Sequence, residues 1–263
     1  MTALRMSTLS RPTLTCQNHK FYEELLVSCY SLQKASLKKL TLSNKLNDKF
    51  WIQNGQTLQV LNISNCMLRD IDSIQKIVAN CVELREINLN NLIFMQDSFE
   101  YMAENLTPKV KRLSIRNPRY FLFDKSINMD ELITSLINRC NKLTSLNLRG
   151  NFITNNSLTS IIQTLEPTLE ELDVSHTSIN FEKLVELRCM KKLRTLNCWH
   201  LESHVIDVLK TELPRLCINE DDFEVAESDK IYEPEDGFWE IEAKQLQLNH
   251  EFHAKNNSEG DDS

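Results

Sequence analysis

The sequence predicts an α/β solenoid, a horseshoe with short parallel strands on its concave side and helices on its convex side. Two observations support this fold class. A short leucine pattern recurs along the chain at intervals of 20 to 33 residues, and apolar stripes with helical spacing lie between most of its copies. Units of this kind must stack, because a single strand–helix unit cannot bury its own apolar face.

The recurring pattern is L-x-x-L-x-L, which is typical of leucine-rich repeats about 20–29 residues long. In L-x-L the side chains alternate, so the leucines point into the core and the residues between them point out into the concavity. We therefore predict a parallel sheet with one strand per copy. The eight copies are Leu37-Leu40-Leu42, Leu58-Leu61-Ile63, Leu84-Ile87-Leu89, Val110-Leu113-Ile115, Leu143-Leu146-Leu148, Leu169-Leu172-Val174, Leu193-Leu196-Cys198 and Leu213-Leu216-Ile218.

The segments between the strands predict amphipathic helices. Apolar residues recur at i, i+3, i+4 and i+7, so that one face of each helix packs on the strand layer and the other stays polar. Polar residues at their starts, such as Asp72-Ser73, Asp97-Ser98 and Asn156-Ser157, suit capping. The four clearest stripes are Ile74-Ile77-Val78-Cys81, Phe99-Met102-Ala103-Leu106, Leu132-Ile133-Leu136-Ile137-Cys140 and Leu158-Ile161-Ile162-Leu165.

The organisation changes along the chain. Residues 1–218 form the array of about eight to nine repeats, and it starts inside a repeat, because Leu4 and Met6 resemble the inner pair of another strand. A solenoid needs a cap at each end, so we expect a truncated array or a partner over the first repeat. Residues 219–248 are an acidic linker and an apolar tail that returns to the array, and residues 249–263 are expected to be disordered.

Charge and composition exclude several classes of function. Residues 219–263 carry 15 acidic side chains and 3 lysines, whereas residues 1–218 carry 27 basic and 22 acidic ones. So small a positive balance does not predict a nucleic-acid partner. No apolar run reaches the roughly 18 residues of a membrane span, and the start lacks the apolar core of a secretory signal. We expect no membrane partner, reduced core cysteines, and a location in the nucleus and cytoplasm.

The sequence predicts a binding module and not an enzyme. It contains no G-x-S-x-G motif, phosphate loop or dinucleotide fingerprint. His200 and His204 are four residues apart, but no third ligand follows a zinc pattern. We therefore expect no catalytic residue, no cofactor and no metal.

The residues between and after the core leucines are the candidate partner-binding set of the concave face. Amides, arginines and an aromatic side chain suit a protein-binding surface. Trp199 is either a binding hot spot or a surface that the tail covers. Arg116, Arg119 and Arg149 either surround a phosphate or carboxylate or form a solvated basic rim. The full set is Asn88, Asn90, Asn91, Arg116, Arg119, Asn147, Arg149, Asn151, His176 and Trp199.

An insertion at residues 118–124 accounts for the 33-residue interval and holds three aromatic residues. It is either a buried plug or an exposed contact surface, because loops on one side of a solenoid often carry binding.

The cysteines and the C-terminal segments resemble a known family. Cys81 and Cys140 each lie three residues before the first core residue of the next strand. Together with residues 138–148, 210–219 and 238–242, they resemble the F-box/leucine-rich-repeat proteins over roughly residues 3–250. These proteins are the substrate-recognition subunits of SCF-type cullin ubiquitin ligases and act in cell-cycle regulation.

The resemblance implies particular partners and a particular tail. It implies that the repeats hold a phosphorylated target and a small cyclin-dependent-kinase subunit. It also implies that Phe238, Trp239 and Ile241 dock along the concave face. A cullin adaptor is implied only if an F-box lies upstream, because the family's box needs about forty residues before the repeats; the chain is therefore expected to be a box-less or partial form.

The family's contact positions are only partly matched. Arg119 stands at a basic position, as the family requires. Asn91 stands at its aromatic position, Gly150 at its acidic position and His176 at its next basic position. The resemblance therefore supports the mode of binding and leaves the identity of the partner open.

Two other functions remain open. A scaffold or inhibitor unrelated to ubiquitin is one alternative, although such arrays have longer and more regular repeats. An activator of a small GTPase is the other, and unchanged hydrolysis rates across a panel of loaded GTPases would exclude it.

The tail gives a first testable prediction. If Phe238, Trp239 and Ile241 dock on the array, removing the residues after Asn219 lowers the melting temperature, because each large buried side chain contributes roughly 1.5–3 kcal/mol. Thermal unfolding of the two chains measures this, and an unchanged melting temperature would contradict docking.

Overall fold

The computed structural model describes residues 29–39, 41–42, 44–68, 72–121 and 128–220. Strands and helices alternate through these ranges. In chain order the elements are β1 (Lys34–Ser36), β2 (Thr41–Leu42), α1 (Asn44–Asn54), β3 (Val60–Asn62), β4 (Met67–Leu68), α2 (Ser73–Asn80), β5 (Glu86–Asn88), β6 (Ile93–Met95), α3 (Gln96–Asn105), β7 (Arg112–Ser114), β8 (Arg119–Phe121), α4 (Met129–Arg139), β9 (Ser145–Asn147), α5 (Asn155–Leu165), β10 (Glu171–Asp173), α6 (Phe181–Val185), β11 (Thr195–Asn197), α7 (Ser203–Glu212) and β12 (Cys217–Ile218), with a 3-10 helix at Glu186–Cys189.

One open parallel sheet runs through the whole array. Its eight strands are hydrogen-bonded in the order β1-β3-β5-β7-β9-β10-β11-β12. In the first repeats a second short strand follows the main one, and these strands form the parallel pairs β2-β4 and β6-β8. The architecture confirms the predicted α/β solenoid with parallel strands and helices.

The L-x-L alternation places the core as predicted. Ile87 pairs with Leu113, and Leu146 pairs with Leu172, so equivalent core positions of neighbouring repeats lie side by side. Leu143, Leu146 and Leu148 of one repeat are fully buried. Each such side chain contributes roughly 1.5–3 kcal/mol through burial, and the register makes the core continuous from one repeat to the next.

The predicted frame of the first repeat is wrong. The main-sheet strand of this repeat is at Lys34–Ser36, where Ala35 pairs with Leu61, and Leu42 lies instead in the outer strand β2. Leu37 is buried and donates its backbone N–H to Asn62 O at 2.7 Å. The repeat therefore begins at Leu32, and alanine at its middle core position hides the pattern, which a chance run of leucines matches five residues later.

The predicted helical stripes are confirmed. In α2, Ile74, Ile77 and Val78 are buried, and the same holds for Phe99, Met102 and Ala103 in α3. The N-caps differ in part from the prediction: Thr154, and not Asn156, caps α5 by accepting the Asn156 N–H. No helix in the described ranges is long and apolar enough to cross a membrane.

Several cysteines occupy the core, as the sequence predicts. Cys66, Cys81, Cys140 and Cys198 are buried free thiols. Burial raises the pKa of Cys81, Cys140 and Cys198 to about 12. These thiols therefore stay protonated at neutral pH and pack as small apolar side chains.

A buried carboxylate joins two consecutive helices. Asp130, in the first turn of α4, is 7% exposed. Its Oδ1 accepts the N–H groups of Thr154 at 2.8 Å and Ser157 at 3.2 Å, and both hydroxyls donate to the carboxylate as well. The carboxylate thus satisfies orphan amides at the N-terminus of α5. Burial alone would raise the pKa of Asp130, but the hydrogen bonds from Ser157 and Thr154 lower it overall.

We expect Asp130→Asn to lower the free energy of unfolding at pH 7 by about 1.5–3 kcal/mol, the usual worth of hydrogen bonds to a charged group. Because the folded-state pKa lies below the unfolded value of about 3.9, this contribution is present above that value and is lost as the pH falls through the folded-state pKa. Urea unfolding at a series of pH values measures both effects. The variant should lose less stability than the parent on acidification, whereas Asp207→Asn, at an exposed site on α7, should behave like the parent.

Candidate partner-binding face

Most main strands leave the sheet through a turn that contains a residue with positive φ, but the turn after β11 contains none. Glycine and asparagine adopt this left-handed conformation most readily, and Gly150 has the largest φ, +71°. The N–H of the left-handed residue donates to the preceding position of the next turn, as in Asn91 N to Arg116 O at 2.8 Å and Asn117 N to Arg149 O at 2.7 Å. The turns therefore stack like the strands. The residues with positive φ at this position are Lys39, Asn65, Asn91, Asn117, Gly150 and His176.

A polar side chain at the end of the strand closes many of these turns. The Oδ1 atoms of Asn62, Asn88, Asn147 and Asp173 each accept the backbone N–H two residues later, at 2.9–3.1 Å. This is an Asx turn, which the short amide or carboxylate makes possible. Of the predicted contact residues, Asn88 therefore uses its amide oxygen inside the array, and Asn147 uses both its amide oxygen and its Nδ2, which donates to Asp173.

Other asparagines of the predicted set have structural roles that the sequence analysis did not assign. Asn151 is 2% exposed, and its Nδ2 donates to Ile115 O at 2.7 Å and Leu148 O at 2.8 Å. The sequence pattern could have predicted this buried role of Asn151, because leucine-rich repeats carry Asn or Cys three residues after the last leucine of the pattern. Asn90 is buried and accepts the Arg116 N–H, and Asn91 Nδ2 donates to Asn65 Oδ1 at 3.1 Å.

The structure brings two of the three predicted arginines together with a histidine. Ser114 pairs with Asn147, so Arg116 and Arg149, two residues later, lie on neighbouring strand ends. Arg149 Nη2 lies 3.2 Å from His176 Nε2. We call these turns after β7, β9, β10 and β11 the carboxyl edge.

Arg119 lies apart from that group. It is exposed and begins β8, where it pairs with Ile93 of β6. It therefore belongs to the outer strand pair and not to the main sheet. Of the insertion at 118–124, residues 118–121 lie in the described ranges, and Pro118 is buried while Arg119 faces solvent.

The surroundings of His176 disfavour its protonation. Loss of hydration lowers the pKa of His176, and the positive charge of Arg149 lowers it further, with smaller contributions from His200 and Arg116. Asp173 acts in the opposite sense. The neutral ring can then accept a hydrogen bond from Arg149 through Nε2.

An exposed aromatic residue continues the carboxyl edge. Trp199 is 44% exposed, and its backbone N–H donates to Ser175 Oγ at 3.1 Å. Phe152, in the turn after β9, is 74% exposed. At the opposite edge, Arg112 and Glu171 form a salt bridge of 2.9 Å. Exposed aromatic surface and positively charged side chains thus coincide at the carboxyl edge.

The predicted tail residues belong to the part of the chain after Glu220. Phe238, Trp239 and Ile241 lie outside the described residues, as does the acidic linker after Glu220. In the described part of the chain, no group of three His, Cys, Asp or Glu residues is placed to hold a metal ion.

The electrostatics of His176 can be tested directly. We expect NMR titration of the full chain to give His176 a pKa below the usual value of about 6.5, and Arg149→Gln to raise that pKa, because it removes a neighbouring positive charge. Arg194→Gln removes an exposed positive charge next to the amino end of β11 and should leave the His176 titration unchanged. Equal pKa values in the parent and Arg149→Gln would show that the two side chains do not interact.

Comparison with known proteins gives a family and a fold. Residues 2–246 match the family model described as the SKP2 LRR domain. No curated protein matches the sequence. Among solved structures, an internalin (inlF) from Listeria monocytogenes has 16% identity and a TM-score of 0.50 over 73% of this chain and 48% of its own. This chain thus spans about half the length of the internalin chain, and the likeness shows the fold alone. The yeast Rad7 and Elc1 complex has 12% identity and a TM-score of 0.40, over 75% of this chain and 71% of its own.

Proposed function

Because the chain belongs to the family of the SKP2 leucine-rich-repeat domain, we propose that it is the protein-recognition module of a substrate receptor for an SCF-type cullin ubiquitin ligase. The match confirms the resemblance to F-box/leucine-rich-repeat proteins and supports this role. The array supplies recognition of the target, and the link to the cullin adaptor is the task of an F-box. In this proposal the target is a phosphorylated protein of the cell cycle, held with a small cyclin-dependent-kinase subunit in the nucleus or cytoplasm.

The observation that carries this proposal is the exposed Trp199 at the carboxyl edge, beside the cationic side chains. Tryptophan and arginine are the residues most enriched at binding hot spots. Trp199 extends from a turn whose backbone is fixed by Ser175, so little conformational freedom is lost when a partner covers the ring.

A binding role fits the state of the other polar side chains better than catalysis. Asp173 accepts the Asn147 Nδ2 and the Ser175 N–H, and Ser175 accepts the Trp199 N–H. A nucleophile or base must be free to reach a substrate, whereas these groups hold the turns together.

We also propose that the acidic tail returns to the array. Residues 219–263 carry 15 acidic side chains and 3 lysines, whereas residues 1–218 carry 27 basic and 22 acidic ones. The chain enters the tail at Asn219, which closes the last turn by accepting the Cys198 N–H at 2.8 Å. Opposite charge and the aromatic pair Phe238-Trp239 suit such an intramolecular contact.

Partner capture with matched variants tests the proposed function. Trp199→Ala should weaken target binding by at least about 30-fold, which corresponds to a hot spot of 2 kcal/mol. Ile52→Ala truncates a similarly exposed apolar residue on α1, in the helix layer, and should bind like the parent. Binding is measured by immunoprecipitation of the full chain followed by quantitative mass spectrometry.

Measuring the half-lives of the captured proteins separates a ubiquitin-ligase receptor from other binding modules. Proteins captured by the parent and lost with Trp199→Ala should gain longer half-lives when the protein is depleted or the proteasome is inhibited. Unchanged half-lives would exclude a role in degradation, and capture that is equal for the parent and Trp199→Ala would exclude the carboxyl edge as the binding surface.

A further inference from the structure

Arg116 is a positively charged residue in a buried position. The residue is only 8% exposed, and its Nε atom is buried without a hydrogen-bond partner. Among the described residues no carboxylate forms an ion pair with it, although Arg112 on the same strand pairs with Glu171. A buried polar group without a hydrogen-bond partner costs free energy, so arginine at this position needs an explanation.

The fold does not require arginine at this position. The equivalent residues of other repeats, which precede the left-handed residue of the turn, are Ser64, Asn90 and Ser175, and all three are buried. Asn90 and Ser175 use their side-chain oxygen to accept the N–H of the next turn. Arginine has no acceptor, so Arg116 gives up this bond and adds an unpaired charge.

The neighbours of Arg116 increase the positive charge. Arg149 occupies the same position on the next strand, and its guanidinium meets His176 Nε2 at 3.2 Å. The nearby carboxylate is Asp173, whose two oxygens accept Asn147 Nδ2 at 3.2 Å and Ser175 N–H at 2.9 Å. The charges that act on His176 are therefore one carboxylate, which already holds the turn, and the two guanidinium groups of Arg149 and Arg116.

We propose that Arg116, Arg149 and His176 form an oxyanion site, which binds a phosphoryl or carboxylate group presented by the protein partner. Guanidinium groups recognise both oxyanions through paired N–H donors, and a bound anion would supply the charge that Arg116 lacks. The existence of a protein partner rests on the proposed function. Binding of an anion at the site does not, and it can be tested with small anions.

Small-anion binding to the full chain is the test. Inorganic phosphate is compared with chloride at equal ionic strength, and glutarate serves as the carboxylate probe. A ligand that binds only the folded state raises the melting temperature. We expect phosphate to raise the melting temperature of the parent and the pKa of His176 measured by NMR, against the opposing charges of Arg149, Arg116 and His200. An equal response to glutarate would show that the site accepts a carboxylate as well as a phosphate.

Two variants make the test specific. Arg116→Gln should lose the phosphate response, and in chloride its melting temperature should equal or exceed that of the parent, because the buried charge is gone. Arg149→Gln should also lose most of the response, which covers the case in which the first variant folds poorly. Arg194→Gln removes the same charge at an exposed position next to the amino end of β11 and should respond like the parent.

Three results would overturn the site. They are an Arg116→Gln response equal to that of the parent, an equal loss in Arg194→Gln, and no response of the parent to phosphate or glutarate. These outcomes are independent of partner capture, so a failed oxyanion site with intact Trp199-dependent binding would leave the proposed function standing. Lost partner capture with an intact anion response would leave the oxyanion site standing and contradict the proposed function.

Discussion

The array depends on one repeated constraint, the stacking of the turns that follow the strands. Each of the six turns named above passes through a residue with positive φ, which is unfavourable for most side chains. The turn is held because its N–H groups donate to the next turn, as in Lys39 N to Ser64 O at 3.1 Å and Gly150 N to Ser175 O at 2.9 Å. Gly150 shows how close the stack is: a Cβ there would lie 2.4 Å from Asn117 Oδ1. The strand register, and with it the continuous leucine core, follows from these contacts.

The same constraint decides which side chains a partner can reach. Short polar residues at the strand ends close the turns, so Asn88, Asn147 and Asp173 are engaged before any partner arrives. The functional surface then comes from departures from the repeat pattern. Arg149 and Trp199 stand where other repeats have serine or asparagine, and their side chains extend beyond the turn. An array without such departures would be stable, but it would present few side chains that a partner could recognise.

The sequence predicted the fold because the periods of 2 and 3.6 residues are strong signals over many repeats. The pattern did not locate the main strand of the first repeat, because Ala35 takes the place of a leucine there and the residue type alone does not reveal its burial. It also left the grouping of Arg116 with Arg149 open, because 33 residues separate these arginines. Only the pairing of Ser114 with Asn147 shows that the insertion leaves the strands adjacent. Contacts of His176 depend on side-chain direction, which no periodicity predicts.

The two edges of the sheet differ in charge balance, and this difference bears on how a partner is selected. At the amino edge Arg112 reaches Glu171 across the intervening strand β9, so the charges cancel and such an exposed pair adds little stability. At the carboxyl edge the described residues include two guanidinium groups, those of Arg116 and Arg149, and one nearby carboxylate, that of Asp173. Unbalanced charge attracts an oppositely charged partner before contact and fixes its orientation. An acidic or phosphorylated segment would therefore approach the horseshoe at the carboxyl edge, where Trp199 supplies the apolar contact that charge alone does not provide.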